Sequence, residues 1–270
     1  IFAQSERLDR EVVQAIPDGT YEASGHLDDD GVGDEPVEVR VRVTVSGDAM
    51  HVDLSGSSPQ VGGYVNCGRA QAISGCRVAF KTLVNPDAPV TGGSFRPLTV
   101  TIPERSIFDA QEPAACQFYF TPLGLLIDLV ARALADALPD RVAAAHFGDS
   151  MVVNFVRRRA GPSGPFFIMA EALAGGWGAS RHQDGESALI NNVNGAFRNL
   201  PVEVAEAKFP IRITRCCFRA GSGGAGRHRG GDGIVREYEV LGDDVAITVH
   251  LERSRTPAWG LFGGDSGMGP

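Results

Sequence analysis

The sequence predicts a mixed α+β protein with a β-rich second half, Gly-rich loops and one central buried helix. Three observations carry that reading. The run PVEVRVRVTV puts Val37, Val39, Val41, Val43 and Val45 on one face of a strand and Glu38, Arg40, Arg42 and Thr44 on the other. The stretch from Pro122 to Leu138 is apolar almost all round at helical spacing, the pattern of a helix buried on every side. Beyond residue 140, strand-like pieces at 151–156, 166–172, 211–219, 234–240 and 245–251 alternate with Gly-rich loops. No strand–helix–strand rhythm appears there, so a doubly wound parallel sheet is not expected in that half.

The elements follow in order. Residues 4–15 form a short polar helix with Leu8, Val12 and Val13 on one side, stopped by the turn Ile16-Pro17-Asp18-Gly19. Thr20 to Leu27 is a strand, Asp28 to Gly31 an acidic turn, and the valine strand follows. Ser46-Gly47-Asp48 turns the chain, and Met50 to Leu54 pairs back as a hairpin. Over 67–84, Ile73, Cys76, Phe80 and Leu83 recur at helical spacing, and Asn85-Pro86 ends the run. Leu98 to Ile102 is a strand. Thr121-Pro122 opens the buried helix, with Pro at a tolerated N-terminal position. In 245–251, Val245, Ile247, Val249 and Leu251 share a face. A sub-boundary is expected near 140–150.

Composition excludes several classes of function. The net charge of −8 gives the chain no electrostatic attraction to nucleic acid or an anionic membrane. The longest apolar stretch, Leu123 to Leu138, is broken by Asp128, Arg132 and Asp136 and is no membrane span. No signal peptide is visible. The 5 cysteines form no C-x-x-C and no disulfide framework, which fits buried reduced thiols in a cytoplasmic protein. Cys216 and Cys217 are adjacent within a strand and should point to opposite faces. The chain begins at Ile1 and ends in GGDSGMGP, which reads as a piece of a longer polypeptide.

The segment GSGGAGRHRGGDG, residues 221–233, poses the sharpest question. Gly221 to Gly226 satisfies G-x-G-x-x-G, but a dinucleotide fingerprint needs a helix after it to hold the pyrophosphate. Two further glycine clusters and the β-rich IVREYEV follow instead. A P-loop would need Lys at 227 and a hydroxyl at 228, where the chain has Arg227 and His228. Two readings remain. One is a strand–loop–strand connection needing positive φ at several glycines. The other is an anion-binding nest built around Arg227 and Arg229.

Other candidate residues are scattered. None of the 6 histidines has metal-ligand spacing, and the Asp28–Asp30 run lacks the alternating ligands of a calcium loop, so no metal ligand is assigned. His182 and Asp184 lie in a charged loop after Trp177, where a hydrated loop and an acid–base site both fit. Glu203 and Glu206 share a face on a helix but not on a strand. Asp53 ends a strand before Ser55-Gly56-Ser57-Ser58 and fits either a turn cap or a site rim.

Taken in order, IPDGTYEA with LDDDG, VDLSGSSPQ, FRPLTV, PERS, the PAA of Pro113 to Ala115 and ALADALPDRVAAA form one series of motifs. GGWGASRHQDG, NLPVEVAEAKFP, GSGGAGRHRGGDG and PAWGLFGG continue it. Together they resemble the hydantoinase B/oxoprolinase family across nearly the whole chain, as its middle and C-terminal part. Val90-Thr91-Gly92-Gly93 departs from the Asn-containing segment expected there. The resemblance implies a subunit or domain of an ATP-dependent cyclic-amide hydrolase that opens hydantoin or 5-oxoproline rings. It implies a hetero-oligomer with a hydantoinase A-type partner, which supplies ATP and Mg. Acetone and acetophenone carboxylases are the alternative activity, and a non-catalytic interface half is a third. Any divalent metal is expected to have its ligands upstream of Ile1. The candidate catalytic residues are Asp184, Glu203 and Glu206; the candidate substrate-binding residues are Asp53, His182, Arg227 and Arg229.

Overall fold

A computed structural model describes residues 1–159, 164–195 and 197–270. The chain divides into two compact units, Ile1–Ala144 with Ser180–Gln183, and Ala145–Ala179 with Asp184–Pro270. The fold class is α+β.

The first unit holds α1 (Phe2–Gln14), β1 (Gly19–Leu27), β2 (Val37–Ser46), β3 (Ala49–Asp53), α2 (Arg69–Leu83), β4 (Leu98–Thr101) and α3 (Phe120–Ala133). Its sheet has the order β1-β2-β3-β4, antiparallel except for the parallel pair β3–β4. The expected alternation on β2 is realised: all five valines are buried and Arg40 and Arg42 face solvent. Helix α3 packs across β1 and β2, and α2 packs on α3 and β4. Gly25 permits that approach, since a Cβ there would press on Leu125 and Leu129 of α3. The buried helix ends earlier than the pattern predicts. Leu134 leaves helical geometry, and Leu134, Leu138 and Val142 continue the apolar face as successive turns.

Helix α1 buries Val13 and half-buries Val12 as expected, but Leu8 is not on the inward face. Asp9 and Val13 are buried while Leu8 is exposed. The cause is polar: Lys81 Nζ of α2 lies 3.4 Å from Asp9 Oδ1, and Asn85 Nδ2 donates to the same oxygen at 3.0 Å. A buried charge needs such partners, so the pair selects the helix face over Leu8. The acidic turn is also a clamp. Asp30 Oδ1 accepts N–H bonds from Val32 and Gly33, and Oδ2 accepts one from Gly63.

The second unit holds β5 (Val152–Arg157), β6 (Phe167–Ala172), α4 (Val202–Lys208), β7 (Ile211–Phe218), β8 (Ile234–Val240) and β9 (Ala246–His250). β6-β5-β9 form an antiparallel sheet and β7–β8 an antiparallel pair. Val153, Phe155, Phe167, Met169, Ala205 and Ile211 make its core, with Tyr238 and Val240 of β8 packed against them. Glu171, Arg236 and Tyr238 tie the pair to the sheet. Arg236 Nη2 lies 3.0 Å from Glu171 Oε1, and Tyr238 OH donates to Glu171 Oε2 at 2.6 Å. Burial, followed by the Glu171 charge, pushes the Tyr238 phenol well above its ordinary range.

On the edge strand β9, Ile247 and Val249 share the half-exposed face while His250 is buried on the other, as their alternation requires. One expectation fails in this unit. Cys216 and Cys217 are exposed, because the far end of the two-stranded β7–β8 pair has little packed upon it. Cys67 and Cys76, in the first unit, are buried as expected, and burial pushes the Cys76 thiol up to about 12. Among the described residues no helix is long and apolar enough to cross a membrane.

The Asp30 clamp has a pH signature. The N–H of Gly33 and its companions hold the Asp30 carboxyl below its ordinary range, against burial. A depressed folded-state pKa gives stability that is full above the unfolded value near about 3.9 and is lost as pH falls through the folded value. Asp30→Asn is expected to destabilise the protein at neutral pH, with the difference from wild type shrinking as pH falls below about 4. Urea unfolding at a series of pH values measures it, and a pH-independent difference would refute the clamp.

Candidate functional site

The loop Gly221–Gly233 joins β7 to β8, and no helix follows it. Its glycines answer close backbone approach rather than left-handed geometry. Only Gly221 among them has positive φ, which corrects the expectation of several such positions. Gly231 N–H donates to Trp177 O at 2.9 Å, Gly185 N–H to Arg229 O at 2.8 Å, and Trp177 N–H to Glu186 O at 2.9 Å. Asp265 N–H donates to Ala225 O and Met268 N–H to Ser222 O, so the C-terminal segment is woven in as well. A Cβ at Gly231 would overlap the carbonyl of Glu186, and one at Gly185 the carbonyl of Trp177.

The residues singled out from the sequence fall in several places. Asp184 and Arg229 meet: Asp184 Oδ1 accepts the Arg229 N–H at 3.0 Å, and His228 Nδ1 lies 3.4 Å from the same oxygen. Arg229 Nη2 reaches Asp232 Oδ1 at 2.9 Å. Burial raises the Asp232 carboxyl, but the Gly223 N–H and the Arg229 charge carry it below its ordinary range. These contacts lace the loops together. Arg227 is exposed beside them. Glu203 and Glu206 do lie on a helix, α4, and both are exposed; Glu206 Oε1 accepts the Ile213 N–H at 2.8 Å and ties α4 to β7. Asp53 and His182 belong to the first unit. Asp53 caps the turn through the Ser55 N–H at 2.8 Å, and exposed His182 lies 3.5 Å from Asp140.

Sequence reasoning missed the densest polar cluster of the second unit. His146, Asp149, Ser150, Asn191 and His250 are all buried. His250 Nε2 lies 2.9 Å from Asp149 Oδ2, and Asp149 Oδ1 accepts the Ser150 N–H at 2.5 Å. Ser150 Oγ accepts Asn191 Nδ2 at 2.5 Å and Asn194 Nδ2 at 3.2 Å. Asn191 Oδ1 in turn accepts the N–H of Val193 and Asn194, closing a turn that sets Asn192 Nδ2 3.3 Å from His146 Nδ1. The Trp177 ring stands 6.0 Å from the His146 ring, and its Nε1 donates to Ile190 O at 2.7 Å.

The backbone around this cluster is unusual. Gly148, Met151 and Arg253 all have positive φ, and a Cβ at Gly148 would overlap the Arg253 side chain. Non-glycine residues in that region cost free energy and gather at functional sites. The sequence signal was present in FGDSM and NNVN, two polar motifs beside apolar strands, but neither has a spacing that names a chemistry. Among the described residues no three His, Cys, Asp or Glu side chains converge as a metal-binding group.

Comparison with known proteins fits this geometry into a family. The hydantoinase B/oxoprolinase profile matches residues 1–269. The chain belongs to the hydantoinase B/oxoprolinase family. Within that family it is 30% identical to the caprolactamase subunit beta of Pseudomonas jessenii, over 96% of this chain and 45% of that protein. It is 27% identical to 5-oxoprolinase 1 of Arabidopsis thaliana, over 92% of this chain and 18% of that one. The chain therefore spans less than half the length of these relatives. The crystal structure of the ATP-dependent caprolactamase from Pseudomonas jessenii superposes with a TM-score of 0.78 at 28% identity, over 88% of this chain and 42% of that one. The nucleotide-free acetone carboxylase structure gives 0.82 at 20% identity, over 97% and 38% of the two chains, and shows the shared fold.

The weave makes a direct prediction. Gly231→Ala must displace the Glu186 backbone and is expected to cost about 1–3 kcal/mol, as overpacking does. Gly62→Ala, where nothing lies within 4 Å of the added methyl, should be near neutral. Chemical unfolding of both variants tests it, and equal midpoints would refute the close-approach account.

Proposed function

We propose that the chain forms part of a subunit or domain of an ATP-dependent cyclic-amide hydrolase, opening hydantoin-, lactam- or 5-oxoproline-type rings. The observation that carries the reading is the family match over residues 1–269, joined to the likeness to caprolactamase in both sequence and structure. The partner is a hydantoinase A-type subunit or domain that uses ATP with Mg. ATP supplies phosphorylation of the amide oxygen, which converts a poor electrophile into a reactive one. The family relatives named as subunits support a hetero-oligomer. The acetone carboxylase likeness supports the fold alone at its level of identity, so hydrolysis is the preferred activity. The free thiols of Cys67 and Cys76 support a cytoplasmic setting.

On this reading the buried cluster of the second unit is the working centre of the chain. His146, held by Asn192, is the candidate proton-transfer group. Its imidazole is oriented by an amide, as a general acid or base requires. Buried Asn191 supplies a fixed dipole in a water-poor setting, where it is worth more than in solvent, with half-buried Asn192 beside it. Asp184 and Arg229 act by holding the loops that carry Trp177.

The test is phosphate release by the purified chain with its ATP-using partner, with hydantoin, caprolactam or 5-oxoproline as substrate and no bicarbonate. Release that depends on the cyclic amide supports the hydrolase; a requirement for bicarbonate sinks it in favour of a carboxylase. His146→Gln is expected to lower turnover by about 10²–10⁴, the range for a lost proton-transfer group. Glu203→Ala, exposed on α4, should leave turnover intact; a comparable loss there would move the catalytic role to the α4 carboxylates.

A further inference from the structure

The two arms of Asp149 reach different parts of the cluster. Residue 149 stands just before β5, and Val152 of β5 is the register partner of His250 at the end of β9. One carboxylate oxygen meets His250 Nε2 at 2.9 Å, which anchors Asp149 to the sheet. The other takes the Ser150 N–H at 2.5 Å and fixes the rotation of that peptide. Ser150 then contacts Asn191 and Asn194 through its hydroxyl, and Leu173 N–H donates to Ser150 O at 2.8 Å. Asn191 governs the turn that places Asn192 on His146. Asp149 itself is fully buried and touches His146 through none of these bonds.

We propose that Asp149 is a positioning residue: through Ser150 and the Asn191 turn it sets the Asn192–His146 pair in its working geometry, with His250 as its anchor on β9. The proposal rests on the reading of the cluster as the reaction centre. The physical argument is one of rigidity. Asp149 Oδ1 accepts the Ser150 N–H and Oδ2 lies 2.9 Å from His250 Nε2, which restricts the buried carboxylate, and each next group in the series is held by the previous one. Ser150 lies between residues of positive φ, Gly148 and Met151, so the segment has no regular secondary structure to hold it and depends on these bonds.

Asp149→Asn keeps the volume but removes the charge facing His250 Nε2 and one of the two carboxylate acceptors. It is expected to lower kcat for cyclic-amide-dependent phosphate release on the order of 100-fold, the cost of a misplacement near 1 Å, with KM unchanged. Ser150→Ala keeps both arms of Asp149, because the N–H of residue 150 remains, and removes only the hydroxyl that accepts from Asn191 and Asn194. It should lower kcat in the same way while leaving the ¹⁵N resonances of the His250 ring as in wild type. A folded Asp149→Asn protein, judged by near-ultraviolet circular dichroism, with wild-type kcat overturns the proposal. Should Asp149→Asn not fold, an unchanged kcat in Ser150→Ala overturns it. Failure of the functional reading is separable: if the wild type releases no phosphate with any cyclic amide, that reading falls. The positioning then stands or falls on the His146 ring resonances of the chain alone. Shifted His146 signals in both variants support it, and unchanged signals refute it.

Discussion

Much of the second unit depends on backbone lying directly on backbone. The carbonyl of Glu186 occupies the space where a side chain at 231 would begin, and the carbonyl of Trp177 does the same at 185. Ordering glycine is entropically expensive, roughly 1–2 kcal/mol per residue for the backbone alone. Each hydrogen bond returns only about 0.5–1.5 kcal/mol. The weave is therefore marginal strand by strand and holds only as a set. Its reach explains why it matters. Gly231 bonds to Trp177 O, Trp177 Nε1 bonds to Ile190 O, and the next residue is Asn191. A displacement in the loop thus passes through two bonds to the turn that carries Asn192.

The polar cluster is costly in the opposite way. Burying His146, Asp149, Ser150, Asn191 and His250 forgoes hydration of every one of them, and a partly satisfied network would be worse than an apolar core. The positive φ values at Met151 and Arg253 add strain of about 1–3 kcal/mol each. Apolar packing of the same volume would stabilise the unit more. The first unit shows the contrast. Its buried pair, Asp9 with Lys81, joins two regular helices and fits a fastening role. The cluster around His146 instead lies largely on irregular backbone and brings five buried polar residues together.

What the sequence revealed and what it hid have a common cause. The valine alternation on β2 and the apolar run of α3 are local patterns, and each maps onto one element with a fixed period. On α1 the inward place expected for Leu8 goes to Asp9, because a lysine 72 positions away takes it inward. Cys216 and Cys217 were misread because burial depends on a layer that the β7–β8 pair lacks at that end. The glycine loop was legible as a loop between strands, but the reason for its glycines lay in segments far along the chain. The cluster was hidden for the same reason: Ser150 and Asn191 are 41 positions apart, and His250 joins them only through the β5–β9 register. Asp184 and Arg229 were singled out for charge density, which is also what lacing two exposed loops requires.

The structural likenesses bear on how chemistry is assigned within the fold. The acetone carboxylase superposes slightly better than the caprolactamase although its identity is lower, 20% against 28%. Backbone geometry over this region therefore does not rank hydrolysis above carboxylation. A shared fold supplies a scaffold, and the reaction is decided by particular side chains. The glycine weave belongs to the scaffold, because it is built from main-chain bonds that any chemistry can use. The Asp149–Ser150–Asn191–Asn192–His146 series is made of side-chain bonds, each lost by a single substitution. It is there, rather than in the loop with the most conspicuous sequence, that a difference in reaction can be written.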